Sequence, residues 1–190
     1  MLRPGGEFWI EVHDLDHDAV ANILVIGTQD NGTHMQQTPA GSVWTAVYGG
    51  DGGDVAVEDS GSNGLRFIAS QTLGGFRRNA YSAANAYVGG VSISTAVVTD
   101  AQFVTPTELN RADPTRMLVA GTGTLYESTN ANGAGPTLVS IGGPGANRSA
   151  IAYGANGDAA AAYVGKGGQV HRRVGAAFVL TTTQPAAAAT

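Results

Sequence analysis

The chain has 190 residues, a net charge of −5 and only 13% charged residues, and its cations are nine Arg and the single Lys166. Neutralising phosphates needs a clustered basic face, so nucleic acid is excluded as a partner; the composition also excludes a coiled coil, a disordered chain and, with no long apolar run, a membrane span. The 28 Gly, 7 Pro and 30 Ala, with no Cys, leave a β-rich body with many turns that rests on its core without disulfides.

In chain order, MLRPGGEFWIEV has no apolar signal-peptide core. The first strands are expected at Glu7–His13, Asn22–Thr28, Thr33–Thr38 and Val43–Tyr48, with DLDHDAVAN (14–22) as an Asp-rich turn. LRFIASQTLGGFRR (65–78) reads as a strand pair, and 79–102 as an irregular stretch with an insertion on one rim. Further strands are expected at Arg116–Thr122, Thr124–Ser128 and Pro136–Ile141, then at Ser149–Tyr153, Ala160–Gly165, Gln169–Arg173 and Ala177–Thr182. Residues 184–190 form an Ala-rich tail.

These runs repeat. Anchored on Gly27, Ser70, Gly121 and Gly165, the spacings are 43, 51 and 44 residues, the period of four-stranded propeller blades. The expected fold is all-β and propeller-type, with four repeats near 7–50, 51–102, 103–145 and 146–183. They form either a four-bladed ring or part of a larger one.

The progression IGTQDNGT, VWTAVYGGDGGDVAVED and LRFIASQTLGGFRR over 26–78 resembles bacterial β-propellers of the sortilin-like and Asp-box (BNR) group, related to xyloglucanase propellers. FVTPTELNRADPTRMLVAGTGTLYEST resembles the following blade. STNANGAGPT (128–137) resembles an Asp-box that has lost its Asp and Trp.

Candidate site residues cluster in these loops. Gln29, Asp30 and Asn31 form a D-N-G hairpin turn, with Asn and Gly expected to supply positive φ, or present polar groups to a sugar. Asp51 and Asp54 in GGDGGD are, with Asp30, the candidates for a glycosidase carboxylate pair. The alternatives are Ca²⁺ binding through the carboxylate oxygens and a blade-to-blade connection whose bare Gly residues allow close backbone approach. Trp44 is a sugar-stacking candidate that its strand position also makes a core residue, expected at least half buried between adjacent sheets. Gln71 and Arg77 lie near a strand end as binding candidates. Arg77, Arg78, Arg172 and Arg173 fall at matching places in repeats two and four, one of each pair expected as a salt-bridge partner. Asp14, Asp16 and Asp18 alternate like the start of a calcium loop, but Ala19 and Val25 stand where an EF-hand needs Gly and Glu. Calcium is the one cofactor they suggest. His13, His17, His34 and His171 lack a zinc spacing.

The resulting expectation is a non-catalytic propeller module, extracellular or at a cell surface. It would bind protein or carbohydrate or build an assembly, with other copies or other domains of its parent chain as partners and a glycan as an admissible ligand. The rival readings are a glycoside hydrolase resembling xyloglucanases and a virion or surface-layer structural protein.

Overall fold

The computed structural model describes residues 10–184. Its architecture is four four-stranded antiparallel sheets, each a simple meander, with one 3-10 turn at Gln71–Leu73 as the helical content among the described residues. Blade 1 comprises β1 (Val12–Asp18), β2 (Ile23–Thr28), β3 (Gly32–Gln36) and β4 (Trp44–Tyr48). Blade 2 comprises β5 (Ala56–Glu58), β6 (Asn63–Ser70), β7 (Gly74–Ser82) and β8 (Tyr87–Ser92). Blade 3 comprises β9 (Thr107–Leu109), β10 (Met117–Ala120), β11 (Leu125–Ser128) and β12 (Val139–Gly142). Blade 4 comprises β13 (Ile151–Ala155), β14 (Asp158–Lys166), β15 (Gln169–Val174) and β16 (Ala177–Leu180). The expected all-β propeller class is what the fold shows.

The period-2 alternation of a strand gives each sheet two faces, both covered by neighbours in blades 2 and 3 and one in blades 1 and 4. Three apolar clusters result, one per seam. Val25, Val55 and Ile68 join blades 1 and 2. Phe67, Ala69, Met117, Val119 and Tyr126 join blades 2 and 3. Leu118, Leu125, Tyr153, Ala162 and Val164 join blades 3 and 4. The described residues contain no such cluster between blades 4 and 1.

The ladders give the true repeat register. Leu15 pairs with Ile26, Thr107 with Val119 and Ile151 with Val164; the same count sets Val55 opposite Ile68. Ile26, Ile68, Val119 and Val164 therefore share one position, which faces the preceding blade. Val25, Phe67, Leu118 and Tyr163 share the next, which faces the following blade. Anchoring on Ser70 and Gly121 runs one residue late: the equivalents of Gly27 and Gly165 are Ala69 and Ala120. A one-residue slip exchanges the two faces of a strand, so the matching of Arg77–Arg78 with Arg172–Arg173 shifts too. Arg78 is the equivalent of Arg172, because they pair with Phe67 and Tyr163.

A second correction concerns DLDHD. Asp14, Asp16 and Asp18 lie on β1; the turn is Ala19–Asn22, and Asn22 takes the left-handed conformation at φ 54°. Alternate carboxylates on a strand point to one face, here towards blade 2. Of the strand expected at Glu7–His13, residues 7–9 lie outside the described residues, as do Trp9 and the tail beyond Gln184. The irregular 79–102 stretch resolves into the end of β7, a turn with Asn85 at φ 57°, β8, and a connection whose Ile93 and Val98 pack on the blade 2–3 cluster.

Candidate functional site: an acidic axial cleft and a braced rim

The innermost strands β1, β5, β9 and β13 line a common cleft of about 550 Å³. Its walls carry Asp14, Asp16, Asp54, Glu58, Asp59 and Glu108, with Arg111 at one side. Arg148, in the connection leading into β13, reaches across to blade 1 and donates from Nη2 to His13 O at 2.8 Å.

These carboxylates stitch the blades. Asp14 Oδ2 accepts from Val55 N at 3.0 Å, Asp16 Oδ2 from Val57 N at 2.7 Å, and Asp54 Oδ2 from Thr107 N at 3.0 Å. Adjacent inner strands belong to different sheets, so these amides have no ladder partner on that side, and the carboxylates supply one. Withdrawal from water is the main influence on each carboxyl. Burial raises Asp14 and Asp16 above the usual carboxylate range. Burial, reinforced by the Asp14 charge, pushes Asp54 up to about 7. Burial pushes Glu108 up to about 7 as well, against the pull of Arg111. Asp54 Oδ1 is buried with no hydrogen-bond partner.

At one rim the structure gathers five of the expected site residues. Gln29 Nε2 donates to Asp51 Oδ1 at 2.9 Å and to Asp30 Oδ1 at 3.2 Å. Asp30 N donates to the same Asp51 Oδ1 at 2.6 Å. Asn31 Nδ2 caps Gln29 O at 2.9 Å, and Asp51 N donates to Gln71 Oε1 at 2.9 Å. His13 closes the network, with its ring nitrogens 2.7 Å from Gly52 O and 3.0 Å from Gln29 Oε1. The turn uses Asp30 (φ 61°) and Gly32 (φ 82°) as its positive-φ residues, not Asn31 and Gly32. The Gly-Gly step has the close approach expected of it: a Cβ on Gly27 would stand 2.0 Å from Gly53 O.

The other expected residues lie apart. Asp54 faces the cleft, away from this network. Trp44 is half-buried, but not between adjacent sheets as expected: its pairing with Gln36 sets it on the face of blade 1 that points away from blade 2. The Arg77 guanidinium lies 5.5 Å from the centre of the Tyr48 ring, at the blade 1–2 seam. Asp18 is buried and bound to Arg66, with Nη2 at 2.7 Å and Nε at 2.8 Å from Oδ2. Its Oδ1 accepts from Val20 N and Ala21 N. Asp14, Asp16 and Asp18 thus have separate partners, and among the described residues no three His, Asp or Glu side chains gather to hold a metal ion. The 128–137 turn keeps its form around Asn130, whose Oδ1 accepts from Thr137 N at 3.0 Å.

Two groups went unnoticed in the sequence. Glu108 stands one residue beyond Thr107, the register equivalent of Leu15, so aligning the inner strands by their ladders would have matched it to Asp16. Glu127 is the ionic hub of the blade 3–4 seam. It binds Arg116 Nη2 at 2.6 Å and Arg173 Nη1 at 2.7 Å and accepts from Tyr153 Oη. Arg173 is the inter-blade partner expected of one member of its pair.

No protein family matches the chain, and no curated protein does. Solved structures do. An ancestral GH74 enzyme is similar at 15% identity and TM-score 0.58, covering 88% of this chain and 23% of its own. A functionally unknown protein from Desulfotomaculum acetoxidans matches at 14% identity and TM-score 0.54, over 85% of this chain and 51% of its own. A protein of unknown function from Bacteroides caccae matches at 15% identity and TM-score 0.50, over 87% and 57%. The chain spans from about a quarter to just over half the length of these structures, and at such identity the likeness concerns the fold.

Proposed function

We propose that the protein is a non-catalytic propeller module that works within a larger assembly of blades. One observation carries this reading. At the positions where blades face each other, the end blades are open and the inner blades closed: Leu15 is 58% exposed and its equivalent Val55 4%, and Tyr163 is 47% exposed and its equivalent Phe67 1%. Apolar surface of this kind marks an interaction site. The carboxylates support the non-catalytic half of the reading, since Asp51 braces a turn and Asp54 a seam. The resemblance to sortilin-like and Asp-box propellers extends it to protein or carbohydrate ligands and an extracellular setting.

Hydrogen exchange tests the reading. In a chain held monomeric by dilution, amides of β13–β16 should exchange faster than those of β5–β12; equal protection of all four blades in a monomer overturns it. A panel of β-glucans and xyloglucan should show no turnover.

A second reading, a glycoside hydrolase, has one observation in its favour. Asp54 and Glu108, each held near 7, share one cleft with Asp14 and Asp16, and a carboxyl protonated near neutrality is what a general acid needs. Glycan hydrolysis that is lost in Glu108→Gln with the fold intact would establish it.

A further inference from the structure

We infer that the occupant of the open end faces is a second copy of this chain, docked head to tail, with the outer face of blade 4 against the outer face of blade 1; this rests on the reading of the chain as an assembly module. Three observations lead there.

The first is continuity with the seams already present. Tyr163 occupies on blade 4 the position from which Val25, Phe67 and Leu118 meet the following blade, and Ile26 occupies on blade 1 the position from which Ile68, Val119 and Val164 meet the preceding one. What fits each face is therefore another blade in the same orientation and register.

The second is complementary size. Across blade 4 the ladders align Ala152 with Tyr163, Arg172 and Val179, and Val174 with Ala177. This face is low, of Ala and Val, with Tyr163 standing out. The blade 1 face carries the bulkier Leu15, Leu24, Ile26 and Trp44. Large side chains on a small-residue surface also build the blade 3–4 seam, where Leu118 and Leu125 meet Ala162 and Val164.

The third is a donor in waiting. Arg78, the register equivalent of Arg172, donates from Nη1 across its seam to Ala131 O at 2.7 Å and Gly133 O at 2.8 Å. Those carbonyls belong to the β11–β12 connection. The corresponding connection in blade 1 is 37–43, between β3 and β4. Arg172 is exposed, and a second copy docked in register brings to it the carbonyls of Pro39, Ala40 and Ser42, since those of Gln37, Thr38, Gly41 and Val43 already accept within the chain. Burying a guanidinium costs little only when such acceptors are supplied.

Two copies that each give one face and receive the other close a ring of eight blades, four from each, at the upper end of the usual propeller range. A heterologous contact of this kind closes when its rotation closes.

Light scattering on the full chain tests the inference. The expected particle is about 38 kDa, twice the 19.2 kDa chain. Leu15→Glu and Tyr163→Glu should each return it to the monomer mass with unchanged far-ultraviolet circular dichroism; Val179→Glu serves if Tyr163→Glu does not fold. Mixing Leu15→Glu with Tyr163→Glu should restore a dimer, because one intact face of each kind remains, a result peculiar to head-to-tail docking. A dimer indifferent to both substitutions overturns the proposal. So does a monomer, and exchange then separates two cases. Fast exchange in β13–β16 sinks the second copy alone and leaves the assembly reading, whereas equal protection of all blades sinks both.

Discussion

Arg173 grips Glu127 with both terminal nitrogens, Nη1 on Oε1 at 2.7 Å and Nη2 on Oε2 at 2.9 Å, across the seam between blades 3 and 4. Burial alone would raise the Glu127 carboxyl, but the bonds from Arg173, Tyr153 and Arg116 outweigh it and hold the group at about 2. Removing the carboxylate leaves Arg116 and Arg173 charged and largely out of water. Glu127→Ala should therefore cost about 3–5 kcal/mol in urea unfolding, while Glu127→Gln, which keeps the shape and one acceptor, should cost less. Equal stability of Glu127→Ala and the parent would show that the hub contributes nothing.

Gly27 and Gly53 touch backbone to backbone. A methyl group at Gly27 meets Gly53 O at 2.0 Å, and neither β2 nor the β4–β5 connection can yield without opening the blade 1–2 seam. Gly27→Ala should destabilise by about 1–3 kcal/mol, as overpacking of a closed site does. Gly89→Ala, where the added atom meets nothing within 4 Å, is the control, and urea midpoints compare the two.

The cleft carboxyls give the protein a pH dependence of definite sign. Asp54 and Glu108 titrate near 7 when folded, against 3.8 and 4.5 as ordinary values. The native state therefore holds protons that the unfolded chain releases. Their stabilisation is fully present below about pH 4 and is lost as the pH rises through 7. The groups facing Asp54 are Asp14, Glu108 and Arg148; those facing Glu108 are Arg111, Asp16 and Asp14. Glu127 acts oppositely, its contribution present above about 4.5 and lost towards 2. The melting temperature should fall between about pH 4.5 and 7.5, and Asp54→Asn should flatten that slope. A slope unchanged by Asp54→Asn and Glu108→Gln together would place its origin elsewhere.

Calcium should not stabilise the DLDHD strand. Asp18 gives one oxygen to Arg66 and the other to Val20 N and Ala21 N, so a cation would have to displace a guanidinium. Melting temperatures in EDTA and in millimolar Ca²⁺ should coincide; a rise with Ca²⁺ that Asp16→Asn removes would show that β1 binds it.

Much of the fold was written in local pattern. Strands such as Ala177–Leu180 and turns such as that around Asn130 follow from β-branched runs and Gly, Asn and Pro punctuation. What escaped depended on partners distant in the chain. DLDHD reads as a turn because isolated strands do not tolerate three carboxylates in five residues; it is a strand because Val55, Val57 and Arg66, about forty or more residues on, receive them. The register slip at Ser70 has a similar cause. The turn after β6 is lengthened by Gln71–Leu73, with Thr72 and Leu73 at positive φ, so matching by turn residues lands one position late, while pairing with β5 does not. In the rim network, the Gln29–Asp51–Gln71 triad was legible only as three polar loop residues; its meeting point is set by the stacking of two blades.

Each apolar cluster joins one pair of neighbouring sheets and none reaches across three. Stability therefore accumulates seam by seam, as in a one-dimensional stack, and cooperativity is limited to the nearest neighbour. Blades 2 and 3, held on both sides, form the kernel, while blades 1 and 4 can each melt after losing a single seam. Pulled from its two ends, such a chain would give way in steps, peeling an outer sheet before the kernel breaks.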